Sequence, residues 1–394
     1  MSATVADRAP RRRVFVLVGA IVVLDAMFFA ALTPMLPYYA DRFGLSDSAS
    51  GILSGAYAAG TLAGSLPSGW LASRIGPRKT VVIALVVISL TSLVFAFGND
   101  IALLDVARFV QGLAGACSWV GATGWLLSVT PAGDRGRAIG VVTGLGFSGA
   151  LLGPAFGSVA RVVGPEAPFI GIAVLSGLLV TWSRRAPAPQ PPERARFSLP
   201  VALRDRGVRA GMWLMVLPSF VAGAVNVLNP LRLDQLGAGG LTIGATFLVA
   251  AAVQAVGQIA IGRLSDRIGR RVPLLTALAA GAVLLALLPQ SRAIWLSAAA
   301  VVAATACFGV MYTPATALLT DGADAAGLDR TLGLALVNLT WAGGQTVGAL
   351  TAGGVAEVTA DVVPYVLLAA LSVASLGALL WSGRKSNNAG KSRK

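Results

Sequence analysis

The chain of 394 residues is 56% hydrophobic and only 12% charged, with a mean hydropathy of +0.76. A water-soluble protein of this length needs far more polar surface, so the composition excludes an ordinary soluble globule and places the chain in a bilayer. A formal net charge of +14 would suit a nucleic-acid binder, but where the basic residues fall assigns that charge to membrane orientation instead.

A bilayer core of about 30 Å takes roughly 20 apolar residues in a helix. Twelve such stretches are predicted, at 14–37, 50–72, 80–98, 101–130, 138–163, 167–183, 211–231, 240–262, 272–290, 293–320, 331–358 and 362–382. Of the 31 Lys and Arg, 26 fall in the N-terminus, the even-numbered connections and the C-terminal tail. The opposite connections hold only Arg42, Arg161, Arg232 and Arg292, and Arg108 lies inside a segment. This is the positive-inside asymmetry, so both termini are expected in the cytoplasm of a cell-membrane protein, with no nucleic-acid partner. The basic tail, SGRKSNNAGKSRK, also suits anionic lipid.

Segment 1 contains VVLDAMFFAALTPMLP, Val22 to Pro37, with a carboxylate, Asp25, in an otherwise apolar run. Arg11, Arg12 and Arg13 mimic the basic region of a signal peptide, but the apolar run is too long for one, so it reads as a retained helix. Met27, Phe28 and Phe29 beside Asp25 offer an adaptable apolar wall for a lipophilic substrate. Segment 4 carries DVARFVQGLAGA, in which a membrane-embedded Arg108 costs at least about 2.5 to 3.5 kcal/mol and so needs a partner. At about 1.5 Å per residue, Asp25 lies roughly 17 Å and Arg108 roughly 20 Å from the N-terminal boundary. The two are therefore expected to be level and to share one polar cavity, with Asp105, one turn before Arg108, as a competing partner.

Segment 5 reads GVVTGLGFSGALLGPAFG and fits G-x8-G-x3-G-P-x2-G at Gly140, Gly149, Gly153, Pro154 and Gly157. Those spacings keep a smooth strip on roughly one helix face, and Pro154 supplies a bend. GLGFSG within it matches a dinucleotide fingerprint, and AGKS in the tail ends like a P-loop. The first lacks the strand and open sheet the chemistry requires, and in the second Lys385 replaces the required glycine. Both nucleotide readings are rejected.

A Pro- and Arg-rich stretch, SRRAPAPQPPERARFSLPVALRDRG, cannot span a membrane and reads as a linker. It divides the chain into an N-terminal six-helix bundle, 1–183, a linker, 184–210, and a C-terminal six-helix bundle with its tail, 211–394. An internal repeat supports the division: GWLASRIGPR from Gly69 and GRLSDRIGRR from Gly262 are identical at six of ten positions, 193 residues apart. Asp134-Arg135 and Asp329-Arg330 echo it at an offset of 195. Polar groups within the later segments, with Gln111, are Asn226, Asn229, Gln254, Gln258, Tyr312, Asn338 and Gln345. Buried amides need partners, so some only hold helices together. Gln111, Asn226, Gln254, Tyr312 and Asn338, together with Trp341, are the cavity candidates. Cys117 and Cys307 suggest no disulfide, and the absence of His removes the commonest metal ligand and general base.

These motifs resemble the major facilitator superfamily, and the resemblance covers nearly the whole chain. GWLASRIGPRK and GRLSDRIGRR resemble its loop signature, G-x-L-a-D-R-x-G-R-R, carried here by Gly69, Ser73, Arg74, Gly76 and Arg78 and by Gly262, Asp266, Arg267, Gly269, Arg270 and Arg271. In the family the acid of that signature helps latch the cytoplasmic side. Ser73 replaces it in the first copy, and an unequal latch is expected. The segment 5 pattern resembles the signature of exporters, mostly proton antiporters, and Arg108 with Gly112 resembles an R-x-x-x-G element tied to proton transfer. LDAMFFAALTPMLP is similar to helix 1 of tetracycline antiporters and, more loosely, of vesicular amine transporters. The resemblance implies an all-α fold of twelve transmembrane helices in two pseudo-symmetric bundles. It implies a proton-coupled exporter of small lipophilic, and in part cationic, compounds by alternating access. Asp25 and Arg108 are the expected coupling residues, the proton the coupling ion, and no cofactor or metal is expected. A small-molecule substrate, the lipid bilayer and a monomeric state complete the expectation. An uptake symporter or facilitator on the same fold is the alternative. An intramembrane enzyme lacks H-E-x-x-H, G-x-S-x-G and any His, and a sensor lacks a soluble output domain.

Overall fold

The computed structural model describes residues 5–131, 134–186, 204–269, 271–325 and 330–391. Its helices are α1 (Val5–Phe43), α2 (Asp47–Ile75), α3 (Pro77–Phe97), α4 (Ile101–Ser128), α5 (Arg135–Val163), α6 (Glu166–Arg185), α7 (Arg206–Gln235), α8 (Gly240–Ile268), α9 (Arg271–Leu287), α10 (Ile294–Gly309), α11 (Tyr312–Ala325), α12 (Arg330–Val358) and α13 (Val362–Lys391). Local chemistry starts several of them. Ser46 accepts from the Ala49 amide (3.3 Å), Asp100 from Ala102 (3.0 Å) and Asp205 from Val208 (2.9 Å), each satisfying an orphan amide of a first turn.

The twelve predicted segments correspond to these helices with one difference. Segment 10, expected to run unbroken, is broken at Val310–Met311 into α10 and α11, although Ile294–Gly322 is one continuous apolar stretch. By length and hydropathy, ten stretches among the described residues can cross a membrane. α2 and α12, each of 29 residues, match them in length and are rich in Gly, Ser and Thr. They are the two helices that pack on one another along the seam between the halves.

Each half has its own apolar core. One is built on α1 to α6, around Leu17, Ile21, Phe28, Met35, Phe95, Trp125 and Phe169. The other, on α7 to α13, surrounds Leu217, Leu278, Phe308 and Tyr365. Of the linker assigned to 184–210, residues 187–203 lie outside the described residues. The two signature loops have the same backbone shape, with Gly76 at φ 88, ψ 154 and Gly269 at φ 85, ψ 154. That region is nearly closed to residues with a Cβ, which explains why the repeat keeps glycine there.

The end of the molecule with these two loops is here called the signature end. At the opposite end the halves are sealed. A Cβ on Gly51 of α2 would stand 2.7 Å from the Ala349 carbonyl of α12, and one on Gly353 would strike the Asp47 carbonyl. Glu357, near the end of α12, accepts from the Ser46 hydroxyl (2.8 Å) and the Ser48 amide (3.0 Å), so it caps α2 across the seam. Arg161 of α5 pairs with Asp234 of α7. At the signature end, Gly69, Gly140 and Gly144 face open space.

Candidate functional site

Between the halves lies a cavity of about 440 Å³, lined by α1, α2, α4, α5, α7, α8, α10, α11 and α12. Asp25 is the one charged side chain among the described residues that line it. Its carboxylate is 7% exposed and accepts from the Tyr57 hydroxyl of α2 at 3.3 Å. The apolar wall around it is aromatic: Phe29, Trp119, Phe247, Phe308 and Trp341. The Phe29 and Trp341 rings meet edge to face at 5.5 Å, joining the halves beside the cavity. Amides and a phenol from the C-terminal half, Asn226, Gln254, Tyr312, Asn338 and Gln345, supply neutral hydrogen-bonding groups.

Arg108 sits beside this cavity rather than in it and is 1% exposed. Its guanidinium donates to the Phe28 carbonyl (3.3 Å), the Phe29 carbonyl (2.6 Å) and Gln111 Oε1 (2.8 Å). The first two lie one turn beyond Asp25 on α1, so the expected level placement of the two residues is observed. The expected ion pair is not. Arg108 satisfies its charge with carbonyl dipoles and with the faces of Tyr57 (5.0 Å) and Phe29 (5.8 Å). Asp105 makes no bond to Arg108 either, and its Oδ1 is buried without a partner.

Of the other predicted cavity residues, Asn226, Gln254, Tyr312, Asn338, Trp341 and Phe29 all line the cavity. Phe28 does not: it points into the N-terminal core against Phe95 (5.8 Å) and Phe169 (5.5 Å), because a step of one residue turns a helix by about 100°. Met27 packs against the same core, and Gln111 is the partner of Arg108. Asn229 holds helices together, accepting from Tyr365 at 2.7 Å, and Gln258 donates to the Gly309 carbonyl where the tenth span breaks. Sequence reasoning passed over Tyr57, Thr61 and Trp119. The hydroxyl of Tyr57 inside an apolar segment was the available signal, since a buried phenol needs a partner.

The glycines of α5 behave as their spacing predicts. Side chains at Gly149, Gly153 and Gly157 would collide with Val23, Ala30 and Ala31 of α1, so the two backbones touch along this strip. Gly140 faces open space instead, and Pro154 lines the cavity. GLGFSG is part of this continuous helix, in keeping with the rejected nucleotide reading. At the signature end Ser73 donates to the Trp70 carbonyl of its own helix (2.8 Å), Arg74 lies over the Trp70 ring, and Arg78 ties α3 to the Ala186 carbonyl (3.0 Å). The side chains of Asp266 and Arg271, and all of Arg270, lie outside the described residues.

The family model of the Major Facilitator Superfamily matches residues 18–328 and 212–394. The chain is a member of the major facilitator superfamily. It is accordingly a multi-pass membrane transporter that works by alternating access. Among sequence relatives of this superfamily member, an uncharacterized MFS-type transporter, YcaD, of Escherichia fergusonii is 28% identical over 267 residues, 66% of this chain and 68% of the relative. That of Salmonella arizonae is 27% identical over 259 residues, 63% of this chain and 65% of the relative. Among solved structures, a bacterial homolog to the human lysosomal transporter Spinster, in an inward-facing and unoccupied conformation, superposes with a TM-score of 0.68 at 18% identity. The match covers 94% of this chain and 95% of that one. The superfamily fold is thus common to both.

Proposed function

We propose that this transporter is a proton-coupled antiporter that exports small lipophilic compounds, cations among them, across the cell membrane. The distribution of Lys and Arg supports a cytoplasmic signature end. The observation that carries the reading is the single carboxylate, Asp25, set among aromatic rings in a largely apolar cavity. Ionised, that group gives the cavity one negative charge, which with the ring faces attracts an organic cation. Protonated, it is neutral, and the cation loses its counter-charge and leaves. One carboxylate cannot hold both a proton and a cation, and this exclusion makes the exchange obligatory. In a one-for-one exchange of a proton for a monovalent cation no net charge crosses the membrane, so the pH gradient drives the cation uphill, at about 1.4 kcal/mol per tenfold proton ratio.

Proteoliposomes with an imposed pH gradient test this with ethidium as the transported cation. The wild type accumulates ethidium against its gradient, whereas Asp25→Asn, fixed in the neutral form that releases the cation, loses both ethidium binding and uphill movement. Undiminished uphill movement in Asp25→Asn would remove the coupling role.

A further inference from the structure

Asp25 and Arg108 lie level, yet neither is the other's hydrogen-bond partner, and one side chain touches both. The Tyr57 hydroxyl donates to Asp25 Oδ1 at 3.3 Å, while the Arg108 guanidinium lies 5.0 Å from the centre of the same ring. The ring is fixed on every side. Phe29 packs against it with the rings tilted by 40° and 4.7 Å apart, and the Thr61 hydroxyl bridges the Tyr57 carbonyl (3.0 Å) and the Gly112 carbonyl (3.2 Å), fastening α2 to α4 at this turn. The seat itself is cut out of α4. A side chain at Gly112 would run into the Tyr57 carbonyl, and one at Gly115 into the Tyr57 hydroxyl. A Cβ at Gly115 would also stand 3.3 Å from Asp25 Oδ1. The glycine four residues after Arg108 therefore has a stereochemical role, because it lets the α2 backbone come close enough to slide the Tyr57 ring under the guanidinium.

We propose that Tyr57 is the positioning residue through which Arg108 acts on Asp25. The cation polarises the ring it lies on, the ring carries that polarisation to its hydroxyl, and the hydroxyl fixes the orientation and hydrogen bonding of the carboxylate. Tyr57 keeps its proton throughout. The hydroxyl competes with an arriving cation for Asp25 Oδ1, so occupation of the cavity is reported to Arg108, and through it to the α1 carbonyls of Phe28 and Phe29. This proposal rests on Asp25 as the exchangeable group.

Infrared difference spectroscopy of the full-length protein in bilayers, recorded between alkaline and acid buffer, reads the hydrogen bonding of the protonated Asp25 carbonyl directly. Asp25→Asn identifies the band by its loss. If Asp25→Asn leaves the spectrum unchanged, Asp25 is not the exchangeable group and the proposed function itself fails. With the band assigned, Tyr57→Phe shifts its frequency, and Gly115→Ala, which displaces the hydroxyl and keeps the phenol, shifts it too. Phe156→Leu, which removes a ring packed on Phe169 in the N-terminal half, leaves it in place. Arg108→Gln shifts the band in the wild-type background, and its additional shift is lost in Tyr57→Phe. An unmoved band in both Tyr57→Phe and Gly115→Ala overturns the proposal, as does an Arg108→Gln shift that persists undiminished without the Tyr57 hydroxyl. In the former two results the function of Asp25 stands and only the role of Tyr57 falls.

Discussion

Phe28 and Phe29 are neighbours in the chain with opposite roles, since one fills the N-terminal core and the other faces the cavity and Trp341. Phe28→Ala is expected to cost about 3 kcal/mol of stability through the void left among Phe95 and Phe169, with ethidium affinity little changed. Phe29→Ala is expected to weaken ethidium binding severalfold while the melting temperature in detergent hardly moves. Thermal unfolding and equilibrium binding on the same samples separate the two. At Arg108 the geometry depends on a planar fork that reaches two consecutive carbonyls and Gln111 at once. Arg108→Lys preserves the charge but cannot reach all three, and export of ethidium is expected to fall at least tenfold, about 1.4 kcal/mol of barrier. Equal rates for the lysine variant and the wild type would show that charge alone matters there.

Among the elements, α5 was the most legible in the sequence, because each of Gly149, Gly153 and Gly157 stands against an α1 backbone or methyl group. Gly153→Val should force the two helices apart and abolish transport while both halves remain folded. Retained transport would show that the strip is not a working surface. The signature loops were legible for a similar reason, since Gly76 and Gly269 hold a backbone shape that excludes other residues. The break between α10 and α11 was legible but missed, because Pro314 has no N–H for the Val310 carbonyl and its ring crowds that carbonyl, while Gln258 of α8 bonds the adjacent Gly309 carbonyl. Helix phase was the missing quantity. Periodicity placed Asp25 and Arg108 at one depth, but only packing against α2 showed that Tyr57 stands between them. At the sealed end, Asp47 begins α2, where burial first and then the charges of Asp361 and Glu357 raise its pKa above the ordinary 3.8. A raised carboxyl pKa means that the sealed form holds the proton more tightly than a form in which these groups separate. Sealing therefore gains from low pH at this end and weakens as pH rises through the raised pKa. Asp47→Asn is expected to flatten that dependence, read as the pH profile of the distance between spin labels at residues 166 and 292.

For the whole molecule, the two halves meet through the α2–α12 seam and the α5–α8 contact, with Glu357 capping α2 and Arg161 pairing with Asp234 at the sealed end. Few charged groups hold that seal, so a modest change in free energy suffices to open it, and the cavity can then turn to the other face. The central claim is that the Asp25 position faces each side of the membrane in turn. The direct measurement is the reaction of Asp25→Cys, with Cys117 and Cys307 replaced by Ala, with a membrane-impermeant thiol reagent applied separately to each face of oriented vesicles. The account predicts labelling from the signature end in this background. It predicts labelling from the opposite face, at least tenfold faster than before, once Glu357→Gln and Arg161→Gln are added. Labelling confined to one face with the seal removed, or no labelling from either, would contradict it.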